Sequence, residues 1–152
     1  MSARWIVAVM MLATCINEDR RLYEVVLDGT VTVTGGATTG TVHLELHHAR
    51  QGNGSLETPL GLIAETTVDA PGAVEWTALV PVEWTALVPI DEGQGLVVYG
   101  WLDVDGDGLL CGLDASPEPA GVIEVAGFPA HALTFALVLD TSCAGPYALY
   151  PP

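Results

Sequence analysis

From Leu22 onward the chain is written in short runs of alternating or β-branched residues, cut apart by glycine, proline and aspartate. A period of two puts successive side chains on opposite faces of a strand. No stretch keeps a 3.6-residue apolar period long enough for a useful helix. The expected fold is all-β, a single antiparallel β-sandwich of about seven to nine strands. Strands are expected near Tyr23–Leu27 and Thr30–Thr34, with a hairpin at Asp28-Gly29 between them. Others are expected at Thr41–His48, Leu60–Val68, Gly95–Leu102, Val122–Val125 and Ala132–Leu139. The last of these is apolar enough to suggest a central position.

One strand region carries an exact tandem copy. Val74–Pro81 reads Val-Glu-Trp-Thr-Ala-Leu-Val-Pro, and Val82–Pro89 repeats it letter for letter. The repeat length is even, so side-chain parity survives from one copy to the next. Pro81 cannot donate a ladder hydrogen bond, which suits a bend, an edge strand or a bulge. One copy is expected to fill a strand and the other to form an extended edge or hairpin.

Strand Gly95–Leu102 runs straight into Asp103–Asp114, Asp-Val-Asp-Gly-Asp-Gly-Leu-Leu-Cys-Gly-Leu-Asp. Acids stand at loop positions 1, 3, 5 and 12, with Gly108 at position 6. This spacing resembles a calcium loop of the EF-hand kind, and a hard dication wants six or more oxygens delivered from a tight coil. The expected side-chain ligands are Asp103, Asp105, Asp107 and Asp114, with Leu109 offering its carbonyl. Asp103–Cys111 also resembles the core of extracellular excalibur-type loops, although Gly112 stands where those place an acid. Asp114 holds the place that dockerin-type loops fill with Asp. A strand enters and a proline-containing coil leaves, so the paired-helix opening of an EF-hand is ruled out. The alternative is an Asp/Gly-rich hairpin whose acids face water.

The N-terminus is Met1-Ser2-Ala3-Arg4, an apolar run, then Leu12-Ala13-Thr14-Cys15. The run is far shorter than the roughly 20 residues that cross a bilayer, and the pattern is that of a secretory signal. Ending on Cys, it resembles the bacterial lipoprotein signal and its lipobox. That resemblance implies cleavage after Thr14, lipid on Cys15 and, with Ile16 following, an outer-membrane lipoprotein facing the periplasm or the cell surface. The organisation expected is signal peptide 1–14, tether 15–21 and sandwich domain 22–152. Thr30–Leu139, with its "GLVVYGWLDVDGDG", "AGVIEV" and "ALTFALVL", resembles the small prealbumin-like or carboxypeptidase-regulatory-like sandwiches of secreted bacterial proteins.

Composition narrows the partners. Nineteen acids face four basic residues, for a net charge of −15. That field repels nucleic acid and attracts divalent cations. Half the residues are hydrophobic, which favours a folded domain over a disordered acidic chain. With Cys15 given to lipid, Cys111 and Cys143 are left to pair in an oxidising compartment, the alternative being two free buried thiols.

Other constellations are weaker. His43, Glu45 and His47 share one strand face and could bind zinc, but they first of all describe a solvated polar face. Trp76, Trp84, Tyr99 and Trp101 offer a sugar platform or, more simply, core. His131 reads as loop surface. Ser116 and Ser142 have no nucleophile elbow, and the glycine pairs lack the helix and Lys of a phosphate cradle, so no enzyme is expected. The expected function is a lipid-anchored, non-catalytic envelope module with structural calcium and an envelope-protein partner. The alternative is a carbohydrate- or peptidoglycan-binding module using Tyr99 and Trp101.

Overall fold

The computed structural model describes residues 20–36, 38–51, 56–85, 88–89, 94–112 and 116–149. Its strands are β1 (Arg20–Val33), β2 (Thr41–Gln51), β3 (Leu56–Val68), β4 (Ala73–Thr85) and β5 (Val88–Pro89). They continue as β6 (Gln94–Asp103), β7 (Pro119–Val125), β8 (Ala132–Leu139) and β9 (Thr141–Ser142), before one helical turn, α1 (Pro146–Leu149). One sheet runs β5-β4-β1-β8 and the other β3-β2-β6-β7-β9. The all-β sandwich is as the alternation foretold. Among the described residues all pairings are antiparallel except β1 with β8, which run parallel.

Alternation becomes core directly. Val25, Leu27 and Val31 of β1, Val74 to Val80 of β4 and Leu133 to Leu139 of β8 each send every second side chain inward. They meet Val42, Leu44 and Leu46 of β2 and Leu96, Val98 and Leu102 of β6. Burying each such side chain contributes roughly 1.5–3 kcal/mol, so register is fixed by this face.

Three expectations change. Asp28-Gly29 is not a hairpin, because β1 runs unbroken through it. Gly29 is there for space: a Cβ on it would lie 2.5 Å from the Phe135 ring, which packs over its backbone. β8 is not central but lies at the edge of its sheet, with Thr134, Ala136 and Val138 facing outward. The face of β2 bearing His43, Glu45 and His47 is not simply solvated: a register shift falls between Leu46 and His47, and His47 is buried.

The tandem copy divides as expected. The first copy lies within β4, and the second continues that strand before Val88–Pro89 turns back on Trp84 and Thr85. Pro81 is tolerated because, among the described residues, β4 meets β5 only at Trp84 and Thr85 and is otherwise an edge. The sandwich thus has two distinct poles. Asp103 is opposite Thr41, and Gly72 bonds Val31, so the Asp loop and the turn from β3 to β4 share one pole. The start of β1, paired at Arg20 with Glu83, and the β4–β5 hairpin lie at the other.

A candidate metal centre

Asp103 is the last residue of β6 and is 5 % exposed. The chain then coils through Gly106 and Gly108, at φ +79° and +73°, a conformation that costs glycine nothing. That coil turns its own amides onto the carboxylates. The N–H groups of Gly106 and Gly108 donate to the two Asp103 oxygens at 2.6 and 3.0 Å. Asp107 N–H donates to Asp105 at 3.1 Å, and Leu109 N–H to Asp107 at 2.7 Å. Each acid is thereby aimed by the backbone two to five residues on.

A fourth acid joins them. Glu118 is fully buried, and one of its oxygens accepts from Val104 N–H at 3.0 Å while the other accepts from Cys111 N–H. Asp103, Asp105, Asp107 and Glu118 each present an oxygen within 4.8 Å of the others. When all four are ionised, carboxylates this close repel one another, and a dication among them reverses the sign. These four acidic residues can hold a metal ion.

Burial alone would push the Asp103 carboxyl up. The Gly106 and Gly108 amides, the His43 ring and the Glu118 carboxyl together outweigh it and hold Asp103 below the ordinary carboxylate range. His43 stands 3.7 Å from Asp103 and stacks flat on Trp101, with ring centroids 4.2 Å apart.

Behind the loop, Cys111 and Cys143 lie at disulfide distance, Sγ–Sγ 1.98 Å and Cα–Cα 5.4 Å. Glu118 sits between them: Cys143 N–H donates to its carbonyl at 2.9 Å, and its side chain holds the Cys111 amide. Both cysteines adopt positive φ, 48° and 56°, an uncommon backbone state for residues other than glycine. The loop, the buried Glu118 and the start of the C-terminal tail form one cross-linked unit.

Of the expected ligands, the structure brings Asp103, Asp105 and Asp107 together. Asp114 lies outside the described residues. Leu109 is placed in the loop with its side chain exposed. Glu118 was missed because Ser116-Pro117-Glu118-Pro119 reads as a rigid connector. The available signal was its isolation, the one acid between Asp114 and Glu124, returning the chain toward its own loop.

The other constellations resolve differently. His47 bonds Glu45 at 2.7 Å, and among the described residues no metal-competent set of ligand atoms unites His43, Glu45 and His47. Tyr99 and Trp101 are 1 % and 7 % exposed, so neither presents an open ring face to a sugar. They form a second small core with Ala120, against which Leu110, Val122 and Leu149 pack. The Tyr99 hydroxyl donates to the Ala144 carbonyl at 3.0 Å. Its burial, with the charges of Glu45 and Glu118, pushes its pKa well up. Trp76 is core, as its parity implied. His131 is exposed but engaged, bonding the Glu24 carbonyl at 2.8 Å and stacking on Tyr23. No protein-family model, curated protein or solved structure matches the chain.

Proposed function

We propose that this is a lipid-anchored cell-envelope protein whose sandwich holds a structural calcium ion at the Asp loop and serves as a non-catalytic scaffold or interaction module. The observation that carries the reading is the convergence of Asp103, Asp105, Asp107 and Glu118 oxygens within 4.8 Å. The donor set favours calcium. It is all oxygen, on a coil rather than a rigid cage, and Cys111 is engaged with Cys143 and so cannot serve as a soft thiolate ligand.

The anchor rests on Leu12-Ala13-Thr14-Cys15. β1 begins at Arg20, at the pole opposite the Asp loop. A lipid on Cys15 would therefore leave the ion-bearing pole facing away from the membrane, stiffened by the ion and the disulfide as a surface for an envelope partner.

Calcium titration calorimetry on the protein tests the metal. The expected result is saturable one-to-one binding with a Kd around 10⁻⁴ to 10⁻³ M, lost in Asp103→Asn/Asp105→Asn. Absence of a binding heat in the parent protein refutes it. Membrane fractionation tests the anchor, Cys15→Ser being expected to move the protein from the detergent-extracted to the soluble fraction.

A further inference from the structure

We infer that β4 has two interchangeable registers against β1, eight residues apart, and that slipping between them carries the spare copy of the repeat from one pole of the sandwich to the other. The observed ladder pairs β1 with Ala73–Glu83, placing Val74, Trp76, Ala78 and Val80 in the core. Moving β4 along by eight residues brings Val82, Trp84, Ala86 and Val88 to those same places. The side chains are identical, and the even step keeps them on the inward face.

The match extends beyond the repeat. Val82 and Glu83 now face Arg21 and Arg20. In the slipped register Ile90 and Asp91 take those positions, a β-branched residue for a β-branched residue and an acid for an acid. By residue type, neither the inward-facing positions nor the acid opposite Arg20 distinguishes the two registers.

The topology lets the strand move. Among the described residues, β4 pairs, apart from its ladder with β1, only with two-residue β5. Slipping therefore breaks one ladder, which re-forms with the same residue types, the two-residue pairing with β5 and the first two pairings of β6. The chain also closes. On the far side, Glu92 to Gly95 remain to reach Leu96 of β6, and an extended chain of that length spans about 17 Å. β4 packs beside β3, two strands from β6, so about 10 Å between the sheets and about 10 Å along the sheet make a span of roughly 14 Å, which the link covers once β6 gives up its pairing at Gln94 and Gly95. On the near side, the Asp69–Gly72 turn grows by eight residues. That turn is at the ion-loop pole, so Glu75 and Trp76 leave the β4 ladder and join the surface beside the Asp loop.

The test uses the full chain with Ala78→Asp, Ala86→Asp and the double variant. Ala78 is 3 % exposed and pairs with Val25, so an acid there cannot stay in the observed register without burying a charge. With two registers, each single variant keeps one clean copy. Both melt cooperatively as monomers, Ala78→Asp shows a nuclear Overhauser contact between Val25 and Ala86, and only the double variant loses the fold. The inference is overturned if Ala78→Asp unfolds while Ala86→Asp does not, or if the double variant folds. It is overturned equally if Ala78→Asp folds only as a dimer, which would signal strand exchange between molecules, or keeps Val25 against residue 78.

Discussion

The two poles of this sandwich are held by opposite means. At the Asp-loop pole, individual atoms are assigned to individual partners. Both oxygens of Asp103 and both of Glu118 have named amide donors, and a disulfide ties the loop to the tail. At the β4–β5 pole, the alternation that sets the inward face of β4 occurs twice in the sequence. Hydrophobic burial is non-directional and counts only which face a residue occupies, whereas a buried carboxylate must find specific donors. One pole is therefore intolerant of change and the other permissive.

The largest expected effect strikes the intolerant pole. Glu118→Ala strips the acceptors from the Val104 and Cys111 amides and opens a cavity. It should cost about 3–5 kcal/mol, read from denaturant unfolding at constant m-value. Equal stability would mean that water replaces the carboxylate without loss. Next comes the staple: Cys111→Ser/Cys143→Ser frees a loop with a sequence separation of 32 residues and should cost roughly 3–4 kcal/mol.

Acid should weaken the same pole. Asp103 titrates below its unfolded value, so its contribution is fully present above roughly pH 4 and is lost as pH falls through the lower, folded pKa. The parent should therefore lose more stability than Asp103→Asn as pH falls below roughly 4, measured by urea midpoints. The smallest effect belongs to the permissive pole. Deleting Val82–Pro89 should leave a soluble, folded protein within about 1 kcal/mol of the parent, since the remaining copy still fills the core positions. Aggregation of that deletion would erase the contrast between the poles.

Much of this was legible in the residues, and what was not has physical reasons. Alternation at Val42-Leu44-Leu46 and Val74 to Val80 gave the sandwich and its inward face, because burial selects parity and nothing finer. Asp28-Gly29 misled because glycine serves both hairpin turns and close approach. Only the partner strand, with Phe135 over Gly29, tells the two apart. β8 misled because an apolar run says that a strand is buried on one face at least, not where it sits in its sheet. Asp103, Asp105 and Asp107 were readable since their ligand spacing is local. Glu118 was not, as its contribution depends on a chain return that the Cys111–Cys143 bond and the prolines at 117 and 119 set in three dimensions. The burial of Tyr99 and Trp101 likewise depends on Leu149 and Leu110, far off in sequence or in the loop itself.

The most direct test of the account is a pair of thermal melts on the wild-type protein, one with calcium at about a hundred times its Kd and one with excess EDTA. Binding to the folded state alone predicts about 2.7 kcal/mol of added stability, seen as a melting temperature several degrees higher with calcium and unchanged by it in Asp103→Asn/Asp105→Asn. Superimposable melts would contradict the claim that a dication sits among these carboxylates.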